Sequence, residues 1–126
     1  MSKKKILIID DEENFTKLVK LNLERTGEYE VRTGNNGLQG LIAAKEFKPD
    51  LILLDILMTD MDGGEVAYQL NNEEATKNIP IVFLTAVIRK EEVEKSGGVI
   101  SGHPFIAKPV TAEELIDCIK KNISKR

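Results

Sequence analysis

Two short runs of aliphatic residues, each followed at once by aspartate, constrain the fold of this chain more than any other feature. Residues 6–9 are all isoleucine or leucine, and Asp10 and Asp11 follow them. Residues 51–54 are of the same kind, and Asp55 follows. Such runs, without polar alternation, are typical of parallel strands that are buried on both faces. The aspartates are therefore predicted to lie at the ends of two buried strands.

Shorter apolar segments indicate three more strands, and between the strands apolar residues recur at helical spacing. The additional strands are predicted over residues 29–34, 80–84 and 105–107. The helices are predicted over residues 12–26, 38–47, 65–71, 89–95 and 111–123. Five strands that alternate with five helices favour an α/β fold, in which a doubly wound parallel sheet carries helices on both faces. The sequence pattern predicts no course for the segment 96–104.

Two capping patterns support the predicted helix starts. Thr111 and Glu114 have the spacing of a capping box at the start of the last helix. Asp62 and Glu65 have the same spacing before the third helix. Side chains of these types satisfy backbone N–H groups in the first turn, which have no partner within the helix.

The composition fits one domain that folds without a disulfide. The chain has 126 residues, 41% of them hydrophobic and 31% charged, and we interpret residues 1–126 as a single domain. Cys118 is the only cysteine, which agrees with a cytoplasmic location. The net charge of -3 argues against direct binding to nucleic acid. No apolar run is long enough to cross a membrane, so no membrane contact is expected.

Polar residues follow four of the predicted strands, at what should be one edge of the sheet. These residues are Asp10, Asp11, Asp55, Thr85 and Lys108. In doubly wound sheets, ligands bind outside the carboxyl ends of the strands. Three carboxylates that converge there would repel one another unless a cation joins them, and Mg²⁺ prefers oxygen ligands. With a lysine and a hydroxyl nearby, the set suits a phosphoryl group that is attacked by a carboxylate.

Five short motifs occur along almost the whole chain, and each is weak evidence when taken alone. They are Ile-Ile-Asp-Asp-Glu at 8–12, Leu-Leu-Asp-Ile-Leu-Met at 53–58, Met-Asp-Gly at 61–63, Leu-Thr-Ala at 84–86 and Lys-Pro at 108–109. In this combination and order the chain resembles the receiver domain of two-component response regulators, such as the single-domain chemotaxis regulators. The resemblance implies a flavodoxin-like fold, with five parallel strands in the order 2-1-3-4-5 and five helices.

The resemblance implies a phosphoacceptor and a metal site. Asp55 would accept a phosphoryl group from a phosphohistidine. Mg²⁺ would be the cofactor, with Asp55 and Asp11 as direct ligands. Asp10 would contribute through water or by holding the site, and the backbone carbonyl of Leu57 would be a further ligand.

The resemblance also implies roles for residues near the phosphoryl group. Lys108 would contact its oxygens, Thr85 would move toward it, and the backbone amide of Ala86 would assist. Phe105 occupies the position of an aromatic switch that moves with Thr85. The family's Lys-Pro bond is usually cis, so the bond before Pro109 is expected to be cis.

Partners follow from the same resemblance. A sensor histidine kinase or a phosphotransfer protein would supply the phosphoryl group, and a downstream effector or output domain would read the change. The surface that changes is expected to comprise residues 89–95, Phe105 and the exposed side of 111–124, and it could also serve a phosphorylation-dependent homodimer. The domain would not be an enzyme beyond its own phosphorylation and dephosphorylation.

Two departures from the family pattern stand out. The family commonly has proline four residues after the phosphoacceptor, where this chain has Thr59, followed by Asp60. We therefore expect a less rigid loop, with an additional negative charge near the site. The segment 96–104 also departs from the usual approach to the last strand.

Other interpretations use similar residues. A phosphate-independent binding module with a receiver fold is left open by the unusual segment at 96–104. A phosphatase of the haloacid dehalogenase type has Asp-x-Asp after its first strand, whereas Asp10 and Asp11 are adjacent here. A flavin-binding protein would need a phosphate-cradling loop at the same place. Asp10 and Asp11 could also simply cap the first helix.

Overall fold

The computed structural model describes residues 3–85, 99–100, 103–108 and 110–123. In chain order, the elements of these residues are β1 (Lys4–Ile9), α1 (Glu13–Arg25), β2 (Tyr29–Gly34), α2 (Gly37–Phe47), β3 (Leu51–Asp55), α3 (Gly63–Asn71), β4 (Ile81–Thr85), β5 (Val99–Ile100), β6 (His103–Ala107) and α4 (Ala112–Asn122). The predicted helix at 89–95, together with Ala86 and Pro109, lies outside the described residues. None of the helices in the described ranges is both long and apolar enough to span a membrane.

Five of the strands are parallel and confirm the predicted sheet. Their order is β2-β1-β3-β4-β6, which is the predicted order 2-1-3-4-5 because β6 is the fifth predicted strand. The short strand β5 was not predicted, and it pairs antiparallel with the start of β6. Its two residues are too few to show a periodicity, and Gly98 and Ser101 flank them. The fold is thus the predicted doubly wound sheet with one extra edge strand.

The two aliphatic runs lie side by side in the centre of the sheet. Ile6 pairs with Leu51, and the register continues to Ile9 and Leu54. All eight residues of the two runs are completely excluded from solvent. Each such burial contributes about 1.5–3 kcal/mol relative to exposure. The central strands are therefore anchored on both faces, and this anchoring fixes the level at which each strand ends.

The sheet separates two hydrophobic layers. Alternate residues of each strand contribute to opposite layers, as expected for a pleated strand. The α2/α3 layer contains Leu7, Ile9, Ile52, Leu54, Val66, Leu70, Phe83 and Phe105. The α1/α4 layer contains Ile6, Ile8, Val19, Leu23, Leu51, Leu53, Leu84, Leu115 and Ile119. Helices on both faces cover the sheet, as the predicted architecture requires.

Local signals account for the starts of α3 and α4. The Asp62 side chain accepts a hydrogen bond of 2.8 Å from the Glu65 backbone N–H. At the start of α4, both hydrogen bonds of the predicted capping box are present between Thr111 and Glu114. Both capping predictions are therefore confirmed. Not every apolar residue with helical spacing is buried, since Leu18 on α1 is 56% exposed.

A close approach of two backbones places the start of α3 against the end of β3. A Cβ atom at Gly63 would overlap the carbonyl oxygen of Asp55 and lie 2.8 Å from the Cα atom of Ile56. The Gly63 N–H also donates a hydrogen bond of 2.7 Å to the Ile56 carbonyl. A side chain at position 63 would therefore push the helix away from the strand end that carries Asp55.

We predict that Gly63→Ala destabilises the fold by about 1–3 kcal/mol, because the added methyl group meets backbone atoms that cannot turn aside. Gly64→Ala is the matched control, since its Cβ would meet only the Asp62 carboxylate oxygen, at 3.1 Å. Alanine is the better helix former, so Gly64→Ala should be neutral or slightly stabilising. Urea denaturation of both variants measures the difference. Equal stabilities of the two variants would contradict the predicted close approach.

Candidate functional site

The carboxyl edge of the sheet brings together side chains that are far apart in the sequence. Asp10 directly follows β1, Asp55 ends β3, and Lys108 directly follows β6. One carboxylate oxygen from each of Asp10, Asp11 and Asp55 lies within 4.8 Å of the others. The Lys108 Nζ atom is 2.6 Å from Asp10 Oδ2 and 3.8 Å from Asp55 Oδ1. The strand ends thus form an acidic cluster that contains a lysine.

Thr85 ends β4 at the same edge. It is almost completely buried, and it pairs with Ala107 in the neighbouring strand β6. The backbone N–H of Lys108 donates a hydrogen bond of 2.7 Å to the Thr85 carbonyl. The chain segments that carry the predicted hydroxyl and the predicted lysine are therefore joined directly.

Asp10 is completely buried and uses its carboxylate oxygens in two directions. Oδ1 accepts a hydrogen bond of 2.9 Å from the Glu12 backbone N–H, and Oδ2 accepts one from Lys108. Glu12, not Asp10, occupies the N-cap position of α1, and no side chain caps this helix there. The alternative that Asp10 serves only as a helix cap is therefore wrong.

Lys108 is held in place by several groups, and its side chain is only 10% exposed. Besides Asp10, its Nζ atom contacts Glu12 Oε1 at 3.1 Å and lies 4.5 Å from the centre of the Phe15 ring. Burial acts to lower the pKa of Lys108, but hydrogen bonds to Asp10 and Glu12 and the nearby Asp10 and Asp55 charges outweigh it, and the pKa is raised. The amine therefore stays protonated.

Asp55 has a different electrostatic environment. Burial raises the pKa of Asp55 to about 6, and the charges of Asp10 and Asp11 act in the same direction. The Lys108 charge and a hydrogen bond from the Leu57 backbone N–H lower this pKa without cancelling the rise. Asp55 is thus a buried carboxylate whose charge is only partly compensated by the protein.

The donor set fits a small divalent cation. Asp10, Asp11 and Asp55 offer only oxygen ligands, and their oxygens converge within one ion's reach. A bound cation would remove the mutual repulsion that helps to raise the pKa of Asp55. Mg²⁺, which binds through one or two carboxylates and keeps several waters, suits this arrangement.

Comparison with known proteins agrees with the geometry. Residues 6–120 match the family model of the response regulator receiver domain. This chain belongs to that family. Receiver domains are parts of the response regulators of two-component systems. Membership in this family therefore favours the receiver interpretation over the phosphatase and flavin-binding alternatives.

Relatives of the receiver domain differ in length. This chain is 35% identical over 119 residues to the polar-differentiation response regulator DivK of Brucella anthropi, and the match covers 93% of this chain and 94% of DivK. It is 40% identical over 113 residues to the alkaline phosphatase synthesis transcriptional regulatory protein PhoP of Bacillus subtilis, covering 89% of this chain. The chain spans only 45% of the length of PhoP.

Solved structures support the same fold. The CheY-like response regulator receiver domain protein from Methanospirillum hungatei superposes with a TM-score of 0.79 at 29% identity. The match covers 95% of this chain and 93% of that protein. The doubly wound sheet described above is therefore the receiver fold.

Three predicted site residues of the receiver domain remain, and the structure describes two of them, Phe105 and Leu57. The Phe105 ring is buried in the α2/α3 layer, next to Phe83 in the paired strand β4. The Leu57 side chain is 59% exposed, and its backbone N–H acts to lower the pKa of Asp55. Ala86 lies outside the described residues. The switch role of Phe105, the metal-ligand role of Leu57 and the role of Ala86 stay predictions.

Sequence reasoning missed two supporting residues of the receiver domain. Glu12 holds Lys108, although the motif that contains it was read only for its aspartates. The Asn35 side chain donates hydrogen bonds to the Asp10 carbonyl at 3.0 Å and to Thr16 Oγ1 at 3.1 Å. Asn35 directly follows β2, so the rule that polar residues at strand ends converge would have found it.

We predict that Asp55→Asn stabilises the metal-free receiver domain near neutral pH by about 1–3 kcal/mol, since one pKa unit corresponds to about 1.4 kcal/mol. Asp55 has a folded-state pKa of about 6 against a model value of 3.8. An acid with a raised folded-state pKa makes the fold lose stability as pH rises between the two values. The advantage of the variant should therefore vanish below about pH 4.

Urea denaturation in EDTA, from about pH 4 to about pH 8, measures this effect. Asp62→Asn is the control, because Asp62 is exposed and asparagine caps a helix as well as aspartate does. A less stable Asp55→Asn variant at neutral pH would show that the Asp55 charge is fully compensated in the folded protein.

Proposed function

We propose that this receiver domain accepts a phosphoryl group on Asp55 from a sensor histidine kinase or a phosphotransfer protein, and thereby controls a downstream effector or output domain. The observation that carries the proposal is the placement of Asp55 beside Asp10, Asp11 and Lys108 at the carboxyl edge of the sheet. A role in folding alone would not require three carboxylates to converge, because their negative charges repel one another.

In the proposed reaction, a carboxylate oxygen of Asp55 attacks the phosphorus of a phosphohistidine. An O–P bond forms and the N–P bond breaks, and the electron pair of that bond stays with the donor's imidazole nitrogen. The attack needs ionised Asp55. A pKa of about 6 leaves most of the carboxylate ionised at neutral pH even before a bound cation lowers this value.

Asp10, Asp11 and Asp55, with the backbone carbonyl of Leu57, would hold Mg²⁺. The ion, when bound, supplies positive charge for the phosphoryl oxygens. Lys108 supplies a second positive charge, because its protonated Nζ atom already lies 3.8 Å from Asp55 Oδ1. Both charges act where negative charge develops during the transfer.

The new phosphoryl group would change the surface of the domain. It adds about 1.5–2 negative charges and strong acceptor oxygens at the sheet edge. We propose that the Thr85 hydroxyl and the Ala86 amide move toward these oxygens and that the Phe105 ring follows. The contact between the Thr85 carbonyl and the Lys108 N–H supports this coupling, because it ties the end of β4 to the residue after β6.

The proposed output surface comprises β6, the exposed side of α4 and residues 89–95, and it could also support a phosphorylation-dependent homodimer. A groove on this side is lined by Pro104, Phe105, Ile106, Glu114, Asp117, Cys118, Lys121 and Asn122. In this proposal the chain acts as one cytoplasmic receiver domain. Its only chemistry is its own phosphorylation and dephosphorylation.

We predict that incubation with acetyl phosphate and Mg²⁺ adds the mass of one phosphoryl group to the wild-type protein. The gain should be lost in Asp55→Asn and in EDTA, because the first removes the nucleophile and the second removes the metal. Intact mass spectrometry, on samples quenched rapidly in acid, measures it. The Asp62→Asn variant changes an exposed aspartate in the same loop, and it should be phosphorylated like the wild type.

Two results would contradict the proposal. Equal phosphorylation of Asp55→Asn would place the acceptor elsewhere. No phosphorylation of the folded wild type, either by acetyl phosphate or by phosphoramidate, would favour the phosphate-independent binding module.

A further inference from the structure

The loop that follows the proposed acceptor, residues 56–62, is fastened to the start of α2. The Asp60 carboxylate accepts a hydrogen bond of 2.9 Å from the Gly37 backbone N–H through Oδ1. Its Oδ2 atom accepts one of 3.1 Å from the Leu38 backbone N–H. Asp60 is thus not part of the acidic cluster. Although it precedes α3 in the chain, its carboxylate caps the start of α2.

These two hydrogen bonds cap the N-terminus of α2. The first four N–H groups of a helix have no partner within it. In α2 the Asn36 side chain accepts a hydrogen bond from one of them, the Gln39 N–H. Asp60 accepts from two more, the N–H groups of Gly37 and Leu38. Hydrogen bonds from the Gly37 and Leu38 amides lower the pKa of Asp60 against the effect of burial, the Gly37 bond being the largest cause.

Packing reinforces the same contact. A Cβ atom at Gly37 would overlap Met61 Cγ, so the absence of a side chain at position 37 lets the loop lie directly against the helix. Met61 is partly buried against the α2/α3 layer, next to Val66. The middle of the loop is therefore held by two hydrogen bonds and by an apolar contact.

The other part of the loop reaches the acceptor. Leu57 lies two residues after Asp55 and three before Asp60, and the carbonyl of Ile56, between Asp55 and Leu57, accepts a hydrogen bond of 2.7 Å from the Gly63 N–H. Thr59 lies between Leu57 and Asp60. Threonine does not lock the backbone angle φ as proline does, so this chain must hold the loop by other contacts.

We propose that Asp60 is a positioning residue, which holds the Leu57 backbone beside Asp55 by clamping the loop onto α2. The proposal rests on the proposed function, because Leu57 and Asp55 are the groups whose placement the clamp would serve. Without the carboxylate, the two α2 amides would turn to water and the loop would lose its fixed point beyond Leu57. Mg²⁺ binding and phosphoryl transfer would both suffer.

An alternative role of Asp60 is purely electrostatic, since a fourth acid near the cluster would attract a cation. Asp60→Asn separates the two roles. Asparagine offers one acceptor oxygen but turns an N–H₂ group toward one of the amides, so half of the clamp is lost together with the charge. Asp60→Ala removes the whole clamp and the same charge. A positioning role predicts a larger effect for alanine, whereas a charge effect predicts equal effects for both variants.

Asn36→Ala is the matched structural control. It removes a side-chain cap from the same helix end, but the hydrogen bonds described for Asn36 join it to Gln39 and Gly40 within α2, and it is not part of the proposed site. Both alanine variants should lower the urea midpoint by a similar amount, because each removes hydrogen bonds from the first turn of α2. A merely structural role for Asp60 would therefore give the two variants the same phenotype.

Calorimetric titration with MgCl₂ and the rate of phosphorylation by acetyl phosphate are the first readouts. We expect Asp60→Ala to weaken Mg²⁺ binding and to slow phosphorylation by about tenfold each, the lower end for loss of a supporting contact at a metal site. Asp60→Asn should lie between this variant and the wild type, and Asn36→Ala should match the wild type. Equal effects of Asp60→Ala and Asn36→Ala, equal effects of Asp60→Ala and Asp60→Asn, or no effect of Asp60→Ala, would overturn the proposal.

Hydrogen exchange of the Leu57 amide in metal-free protein is the second readout, and it does not depend on the proposed function. Faster exchange in Asp60→Ala, but not in Asn36→Ala, would support the clamp even if the wild type neither bound Mg²⁺ nor accepted a phosphoryl group. Unchanged exchange of the Leu57 amide in Asp60→Ala would overturn the clamp even if the wild type were phosphorylated normally.

Discussion

The Lys108 ammonium and the Asp10 carboxylate, 2.6 Å apart and nearly excluded from water, join the residue after β6 to the residue after β1. A buried ion pair adds little net stability, because both charges lose their hydration. Breaking it by removing one partner is costly, at about 3–5 kcal/mol, since the other charge stays buried and unpaired. Lys108 also contacts Glu12 and lies near Asp55, so this one side chain links three acids from different parts of the site.

The hydrophobic sheet makes such a concentration of charge possible. The two central strands are excluded from solvent along their aliphatic runs, and neither can slide without exposing several of these residues or burying an acid. The level of each strand end is therefore fixed by apolar contacts far from the chemistry. The acids are held close together although they repel one another, and this repulsion is one cause of the raised pKa of Asp55.

Much of this arrangement could be predicted from the sequence, because it follows from the spacing of apolar residues and from which residues stand at the strand ends. Uninterrupted aliphatic runs identify the central strands, and the residues after them, Asp10 and Asp55, converge for topological reasons alone. Contacts that depend on side-chain direction could not be predicted. Asp60 was expected to add its charge near the site, but its carboxylate caps α2 instead, and nothing in the residues around position 60 indicates this partner.

The strand β5 illustrates a second limit. Two residues show no periodicity, and the antiparallel pairing of Val99 and Ile100 with the start of β6 depends on a neighbour already in place. Helix faces gave a third limit, because Leu18 fits the apolar spacing of α1 and is nevertheless about half exposed. Spacing predicts which face of a helix is apolar, but the width of the buried stripe depends on how closely the next element packs.

Because neighbouring residues of β6 pack into different hydrophobic layers, a movement of one side chain and a movement of the backbone have different reach. Phe105 belongs to the α2/α3 layer, while its neighbour Ile106 packs against the α1/α4 layer. Close-packed interiors transmit displacement with little loss. A rotation of the Phe105 ring alone thus disturbs one side of the sheet, whereas a shift of the strand backbone disturbs both. The reach of any movement in β6 therefore depends on whether the side chain or the backbone moves.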